Sequence, residues 1–251
     1  MRAGRLDVVG LGPGALEWVT PQVTEALARA QDLIGYKPYL DRVPERPGQA
    51  RHASDNRVEL DRARHALALA KQGRRVAVVS GGDPGVFAMA SAVFEALEED
   101  EAAQSLAVEI MPGVSAVQAA AARLGAPLGH DFCVISLSDN LKPWGLVAQR
   151  LEAAARADFV IALYNPASKA RPGRIFDAFD LLRANKDGGT PVAFCRAVGR
   201  PDEAVTLTTL AAANPGLVDM ATLVLIGSSA TRLILRRGAR PWLYSPRHAP
   251  A

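Results

Sequence analysis

A two-domain α/β fold is predicted for this chain, and three observations predict it. Short apolar runs alternate with amphipathic stretches along the whole length. Several of the runs end in glycine-rich turns, as strands do where they feed helices in an open sheet. The 251 residues are 49% hydrophobic and 22% charged, enough to bury a large core or two ordinary ones, with no apolar run of about 20 residues. Gly125 to His130, Gly-Ala-Pro-Leu-Gly-His, is turn-like and lies near mid-chain, so the boundary is expected between domains 1–125 and 126–251.

The first strand spans Leu6 to Val9 and runs into Gly10-Leu11-Gly12-Pro13-Gly14. Thr20-Pro21 supplies an N-cap and a first-turn proline for a helix with Val23, Ala26, Leu27 and Ala30 on one face. Asp32 to Gly35 is a short strand. Leu60, Ala63, Leu67 and Ala70 mark a helix stopped by Gly73, and Arg75 to Val79 is a buried strand ending in Ser80-Gly81-Gly82-Asp83-Pro84-Gly85. A helix through Ala96, a strand at Val108 to Met111 and an alanine-rich helix from Ser115 to Leu124 follow. The second half repeats the pattern: strand Phe132–Ser136, helix after Pro143, strand Phe159–Tyr164, helix Ile175–Leu182, and strands Val192–Cys195 and Thr222–Ile226. The alternating threonines of Val205–Thr208 suit an edge strand. Gly238 to Ala251 holds three prolines and reads as a tail.

Twenty-nine basic against 26 acidic residues leave a net charge of only +3, which does not point to nucleic acid. The basic residues are mostly arginine, whose planar fork suits carboxylates, so an anionic small molecule fits as a ligand. Cys133 and Cys195 are too few for a thiolate metal site and lack CxxC spacing, so no metal is expected. A reducing, cytoplasmic setting suits them, and no export or membrane segment is seen.

Ligands in open α/β sheets bind beyond the carboxyl ends of strands, which directs attention to three turns. Gly10–Gly14 approaches a dinucleotide fingerprint, but Pro13 and Gly14 break its spacing, and the second strand ends Ile34-Gly35-Tyr36-Lys37 without the ribose-binding acid. Ser80–Gly85 lacks side chains at three positions, which lets the main chain approach a ligand. Its Asp83 suits either a ligand hydrogen bond or the cap of a helix starting near Val86. Pro112-Gly113-Val114-Ser115-Ala116 places Ser115 at a helix N-cap. No nucleophile elbow, zinc-protease motif or phosphate-loop lysine is present, and His52, His65, His130 and His248 are scattered singly. Such a site suits chemistry whose reactivity lies in a cofactor.

These three turns, in this order and with Met220-Ala221-Thr222-Leu223-Val224-Leu225-Ile226-Gly227, resemble the tetrapyrrole methylase family, over about Leu6 to Ser229. Within it, Gly35-Tyr36-Lys37-Pro38-Tyr39, the run from His130 to Asp139, and Tyr164-Asn165-Pro166 are similar to the branch that methylates precorrin-3B at ring carbon 17 in cobalamin biosynthesis. The resemblance implies two unlike α/β domains with the active site in the cleft between them, S-adenosyl-L-methionine as cofactor, a precorrin substrate and a homodimer. It implies cofactor contacts at Pro13, Gly81, Gly82, Asp83, Val86, Ser115, Ala116, Tyr164, Ala197, Val198, Ala221 and Thr222. Gly12, Pro13 and Gly14, with Tyr36 and Lys37, would face the tetrapyrrole. Methylation in that branch accompanies ring contraction to precorrin-4; Asp83, His130 and Asp139 are nominable acid/base groups, and none is ranked. An anaerobic counterpart acting on cobalt-precorrin-3, or a nicotinamide-dependent oxidoreductase, are the alternatives.

Overall fold

Along Arg75–Ser80 every interior residue is apolar, so a strand here offers a hydrophobic surface on both faces and needs cover on both. The computed structural model, which describes residues 4–55, 58–168 and 171–248, supplies that cover. Its first compact unit, Met1–Ser115, contains β1 (Arg5–Gly10), α1 (Pro21–Arg29), β2 (Asp32–Tyr36), α2 (Lys37–Leu40), β3 (Ala50–Ser54), α3 (Glu59–Lys71), β4 (Arg75–Ser80), α4 (Met89–Glu98) and β5 (Ala107–Met111). The strands form one parallel sheet in the order β3-β2-β4-β1-β5. Val76 and Val78 pack with Leu6, Val8 and Ile34 against Ala63, Leu67 and Ala70 of α3 and Val93 and Ala96 of α4. Ala77 and Val79 turn the other way, with Val9 and Leu33, onto Val23 and Leu27 of α1 and Leu40 of α2. Each fully buried valine or leucine contributes about 1.5–3 kcal/mol relative to exposure.

Local signals hold at the helix ends. Thr20 Oγ1 accepts the Val23 amide at 3.2 Å and Pro21 opens α1. After α3, Gly73 takes φ +80°, which allows an immediate reversal into β4.

The second unit, Ala116–Ala251, contains α5 (Ala116–Leu124), β6 (Gly125–Ala126), β7 (Phe132–Ser136), α6 (Trp144–Arg156), β8 (Val160–Tyr164), α7 (Arg174–Asn185), β9 (Pro191–Arg196), β10 (Ala204–Thr209), β11 (Thr222–Ile226), β12 (Arg232–Arg236) and β13 (Ala239–Tyr244). Its main sheet is mixed, in the order β10-β9-β11-β8-β7, with β7 and β8 parallel and β11 antiparallel to both β8 and β9. Leu151 and Ala155 of α6 and Phe179 and Leu182 of α7 cover Ile161, Leu163, Val192, Phe194, Val224 and Ile226. The threonine-bearing β10 is the edge strand expected from its sequence.

Two expectations change. The units divide after Ser115, ten residues before Gly125, because α5 packs on β6, β11 and β13 and its Val117 amide donates to Tyr164 Oη at 2.9 Å. The turn-like Gly125–Ala126 is itself a strand. The segment from Gly238 is also no tail as far as Tyr244: β12 and β13 form a hairpin around Gly238, at φ +70°, and β13 pairs in parallel with β6. Pro241 falls where the β12/β13 register shifts, so its missing amide costs the ladder nothing.

Candidate functional site

In the first unit β4, β1 and β5 are neighbours running the same way, so their three turns emerge side by side. The turns interlock through main-chain atoms. Gly12 N donates to Gly82 O at 3.1 Å and Gly82 N to Gly12 O at 3.0 Å, while Leu11 N donates to Ser80 O at 2.9 Å. A Cβ on Gly10 would lie 2.6 Å from Gly82 O and 2.8 Å from Gly113 N; one on Gly113 would lie 2.3 Å from Gly82 O. Glycine is therefore required at both positions by backbone against backbone. Asp83 completes the lock: Oδ1 accepts the Gly85 amide at 2.8 Å and Oδ2 the Gly113 amide at 3.1 Å.

That arrangement revises the readings of the second turn. Asp83 does not cap a helix near Val86, because α4 begins at Met89 and Asp83 ties two turns together instead. A carboxylate still keeps lone pairs beyond the two it uses here. Gly81 makes room for protein: its Cβ would meet the Tyr39 ring at 2.6 Å. Gly82, at φ +63° with nothing within 4 Å of an added Cβ, is the position that faces open space. Pro13, Gly14 and Val86 lie half-buried around these turns, and Ser115 is buried at the end of the unit. Tyr36 ends β2 and sits edge-on to Tyr39, with centroids 5.4 Å apart. Lys37 is exposed but holds Asp41 at 2.8 Å.

In the second unit the register gathers the remaining candidates at one sheet end. Arg196 closes β9 opposite Thr222, which opens β11, and Tyr164 ends the neighbouring β8. The Ala197 amide donates to Ala221 O at 2.9 Å. Asp219, which the sequence did not single out, organises this corner. Its Oδ1 accepts from Thr222 Oγ1 at 2.7 Å and Ala221 N at 3.0 Å, and its Oδ2 from Arg196 Nε at 2.8 Å. Burial pushes the Asp219 carboxyl up, but the bonds from Thr222 and Arg196 outweigh it and hold it below the usual range. Ala197 and Val198 are buried, and Ala116 begins α5 beside the Val117–Tyr164 bond.

Backbone strain concentrates at these places. Four described non-glycine residues have positive φ: Phe87, Asp158, Asn165 and Ala197. Phe87 follows Val86, Asn165 follows Tyr164, and Ala197 is itself a candidate; each such residue costs about 1–3 kcal/mol. Nothing in the residue type of an alanine or phenylalanine signals this in a sequence.

The profile of the tetrapyrrole (corrin/porphyrin) methylases matches residues 5–214. This chain belongs to that family. It is 56% identical, over 97% of its length and 96% of the relative's, to a precorrin-3B C(17)-methyltransferase from Sinorhizobium sp. A crystal structure of the methyltransferase CobJ superposes with a TM-score of 0.92 at 53% identity, covering 97% of this chain and all of that one. A uroporphyrin-III C-methyltransferase of Thermus thermophilus, complexed with S-adenosylhomocysteine, shares the fold at 21% identity and TM-score 0.66, over 89% and 97% of the two chains.

For a methylase the titratable groups of both units are informative, and His130 precedes β7 at the sheet end opposite Tyr164. Asp139 is bonded by Arg174 at 2.7 Å and faces Arg171, and Arg174 holds its carboxyl below the usual range, so it stays an anion. His130 Nδ1 accepts the Asp131 amide at 2.8 Å. Burial pushes Cys133 up to about 11 and Cys195 to about 12, so neither is a thiolate nucleophile at neutral pH. His52 and His65 are not single: their rings meet edge-on at 4.8 Å, and His52 bonds Asp32 at the amino end of β2, away from the turns. Much of the arginine is committed to ion pairs within each unit, including Arg5 and Arg29 on Asp7, Arg74 on Asp32 and Arg123 on Glu203. Among the described residues, no helix is long and apolar enough to cross a membrane and no acidic, histidine or cysteine cluster suits a metal ion.

Proposed function

We propose that this methylase transfers a methyl group from S-adenosyl-L-methionine to ring carbon 17 of precorrin-3B, with ring contraction to precorrin-4, in cobalamin biosynthesis. The observation that carries the reading is the 56% identity with a precorrin-3B C(17)-methyltransferase across nearly the full length of both chains. The sites fit a methyl donor: Gly82 leaves open space beside a rigid main chain, and strained backbone at Ala197 marks the corresponding end of the second sheet. The proposed cofactor contacts are Pro13, Gly81, Gly82, Asp83, Val86 and Ser115 in the first unit. In the second they are Ala116, Tyr164, Ala197, Val198, Ala221 and Thr222. Gly81 contributes main chain alone, since Tyr39 occupies its side-chain direction, and the hydroxyl of Thr222 is already given to Asp219.

S-Adenosyl-L-methionine supplies a methyl group already activated on a sulfonium. The chain then has no strong base or nucleophile to provide for the transfer itself; its task is to hold the ring carbon in line and exclude water. The interlocked turns suit that task because their groups are main-chain atoms fixed by one another, and preorganised groups lose little freedom on binding. Gly12, Pro13 and Gly14, with Tyr36, are proposed to face the ring. Lys37 is proposed there too, as a charge shared with Asp41. A cytoplasmic homodimer is proposed as its working form; both cysteines are free thiols.

Labelled S-adenosylmethionine, precorrin-3B and the protein should give a product carrying one added methyl at carbon 17, read by mass spectrometry and NMR. Transfer only to the cobalt-containing precursor, or binding of NADH in place of S-adenosylhomocysteine, overturns the reading.

A further inference from the structure

Three carbonyl oxygens of the Leu11–Gly14 loop converge on a single guanidinium. Arg42, two residues beyond α2, donates from Nη2 to Leu11 O at 2.9 Å and Gly14 O at 3.2 Å, and from Nη1 to Gly12 O at 3.0 Å. No sequence motif marks this residue. We propose that Arg42 is a positioning residue for the substrate: it holds the Gly12–Gly14 loop in the shape that receives the tetrapyrrole, and rests on the reading that this loop faces the ring.

The loop has little of its own to fix its shape. Two of its residues are glycine, Gly12 stands at φ +67°, and Pro13 has no amide to give. The amides of Leu11 and Gly12 are held by Ser80 and Gly82, which pins the loop on one side. The carbonyls of Leu11 and Gly14, with that of Gly12, which also accepts the Gly82 amide, gather around Arg42, and three such oxygens make a patch of partial negative charge. A precorrin carries acetate and propionate groups, so such a patch would repel it. Arg42 donates to all three oxygens and sets a guanidinium charge against that patch. The planar fork matters, since one guanidinium spans three acceptors with two nitrogens, which the point charge of a lysine cannot do from the same stem.

The test compares Arg42→Ala, Arg42→Lys and Arg183→Ala. Arg183 clamps the carbonyls of Leu210 and Ala213 in the second unit and touches no candidate residue, so its loss controls for general destabilisation. Hydrogen exchange on the ligand-free protein should speed up at Leu11–Gly14 in Arg42→Ala and not in Arg183→Ala. In steady state, Arg42→Ala should raise the KM for precorrin-3B about tenfold or more, with the Kd of S-adenosylhomocysteine changing less than about threefold. Arg42→Lys should recover only part of that loss. Unchanged loop exchange in Arg42→Ala, equal losses for both ligands, or the same KM rise in Arg183→Ala would each overturn the proposal. A wild-type protein that methylates no precorrin-3B would instead overturn the functional reading and the ring-facing role with it, while exchange would still report whether Arg42 holds the loop.

Discussion

The first unit builds its sheet end from main chain, and the second builds its own from side chains. Around Gly10, Gly12, Gly82 and Gly113 the contacts run from peptide to peptide, with the Asp83 carboxylate as a clasp. Around Ala197, Ala221 and Thr222 the same job falls to Asp219, reaching in from the loop before β11, and to Arg196 at the end of β9. Strand direction accounts for the difference. Adjacent parallel strands present their turns together at one edge, whereas in the mixed sheet β11 runs in the opposite direction, so its amino end, not a turn of its own, lies beside Arg196. Where peptide packs on peptide, at Gly10 and Gly113, the main-chain site has no room for an added atom, and a side-chain site can be retuned one group at a time.

The strongest way to break this contrast is Gly113→Ala, whose methyl would collide with two peptide oxygens at 2.3 and 2.8 Å. Forcing the turns apart should cost about 3 kcal/mol, measured by urea denaturation, and abolish binding of S-adenosylhomocysteine. Gly82→Ala, with open space but a positive φ, should cost only about 1 kcal/mol. Its fold should survive with cofactor affinity reduced; a full-strength titration would remove Gly82 from the cofactor site.

Asp83→Asn sharpens the comparison from the clasp. The amide keeps one acceptor oxygen for the two amides of Gly85 and Gly113, so stability should fall by about 1 kcal/mol and exchange of the Gly113 amide should quicken. An unchanged exchange rate at Gly113 would mean the glycines lock without it.

Most of the strands and helices were legible because their signals are local: Thr20-Pro21 capping, the valine run of β4, the threonines of β10. The three turns were legible as glycine-rich, but not their reasons. The family resemblance implied Gly12 for substrate and Gly82 for cofactor as separate elements, while the two residues exchange hydrogen bonds. Gly81 and Gly82 look alike on the page; one is empty to admit Tyr39 and the other faces open space. The Asp219–Arg196 bond, the Arg42 contacts and the β6–β13 pairing depend on partners tens of residues away, and no periodicity within a window reports such contacts.

For the second unit, acid offers a milder test. Since Thr222 and Arg196 hold the Asp219 carboxyl below its ordinary value of 3.8, its contribution is fully present above that value and is lost as pH falls through the depressed one. Wild-type stability should therefore fall more steeply than that of Asp219→Asn between about pH 5 and pH 2, the curves converging at the acid end. Parallel urea-denaturation curves would show that Asp219 contributes no charge-dependent support. The smallest effect concerns the thiols: with Cys133 and Cys195 held protonated, iodoacetamide at neutral pH should leave methyl transfer unchanged, and rapid inactivation would place a reactive thiol in the mechanism.

The pairing of Leu243 and Tyr244 with Gly125 and Ala126 also bears on how the protein is made. The first unit is a contiguous stretch and has every strand it needs once residue 111 has cleared the ribosome. The second cannot seat Gly125–Ala126 until residue 244 has been synthesised, more than a hundred codons later. During translation the nascent chain therefore carries a finished glycine-locked half ahead of a half still waiting for its last strand, and it is that later half which needs shelter from misassociation.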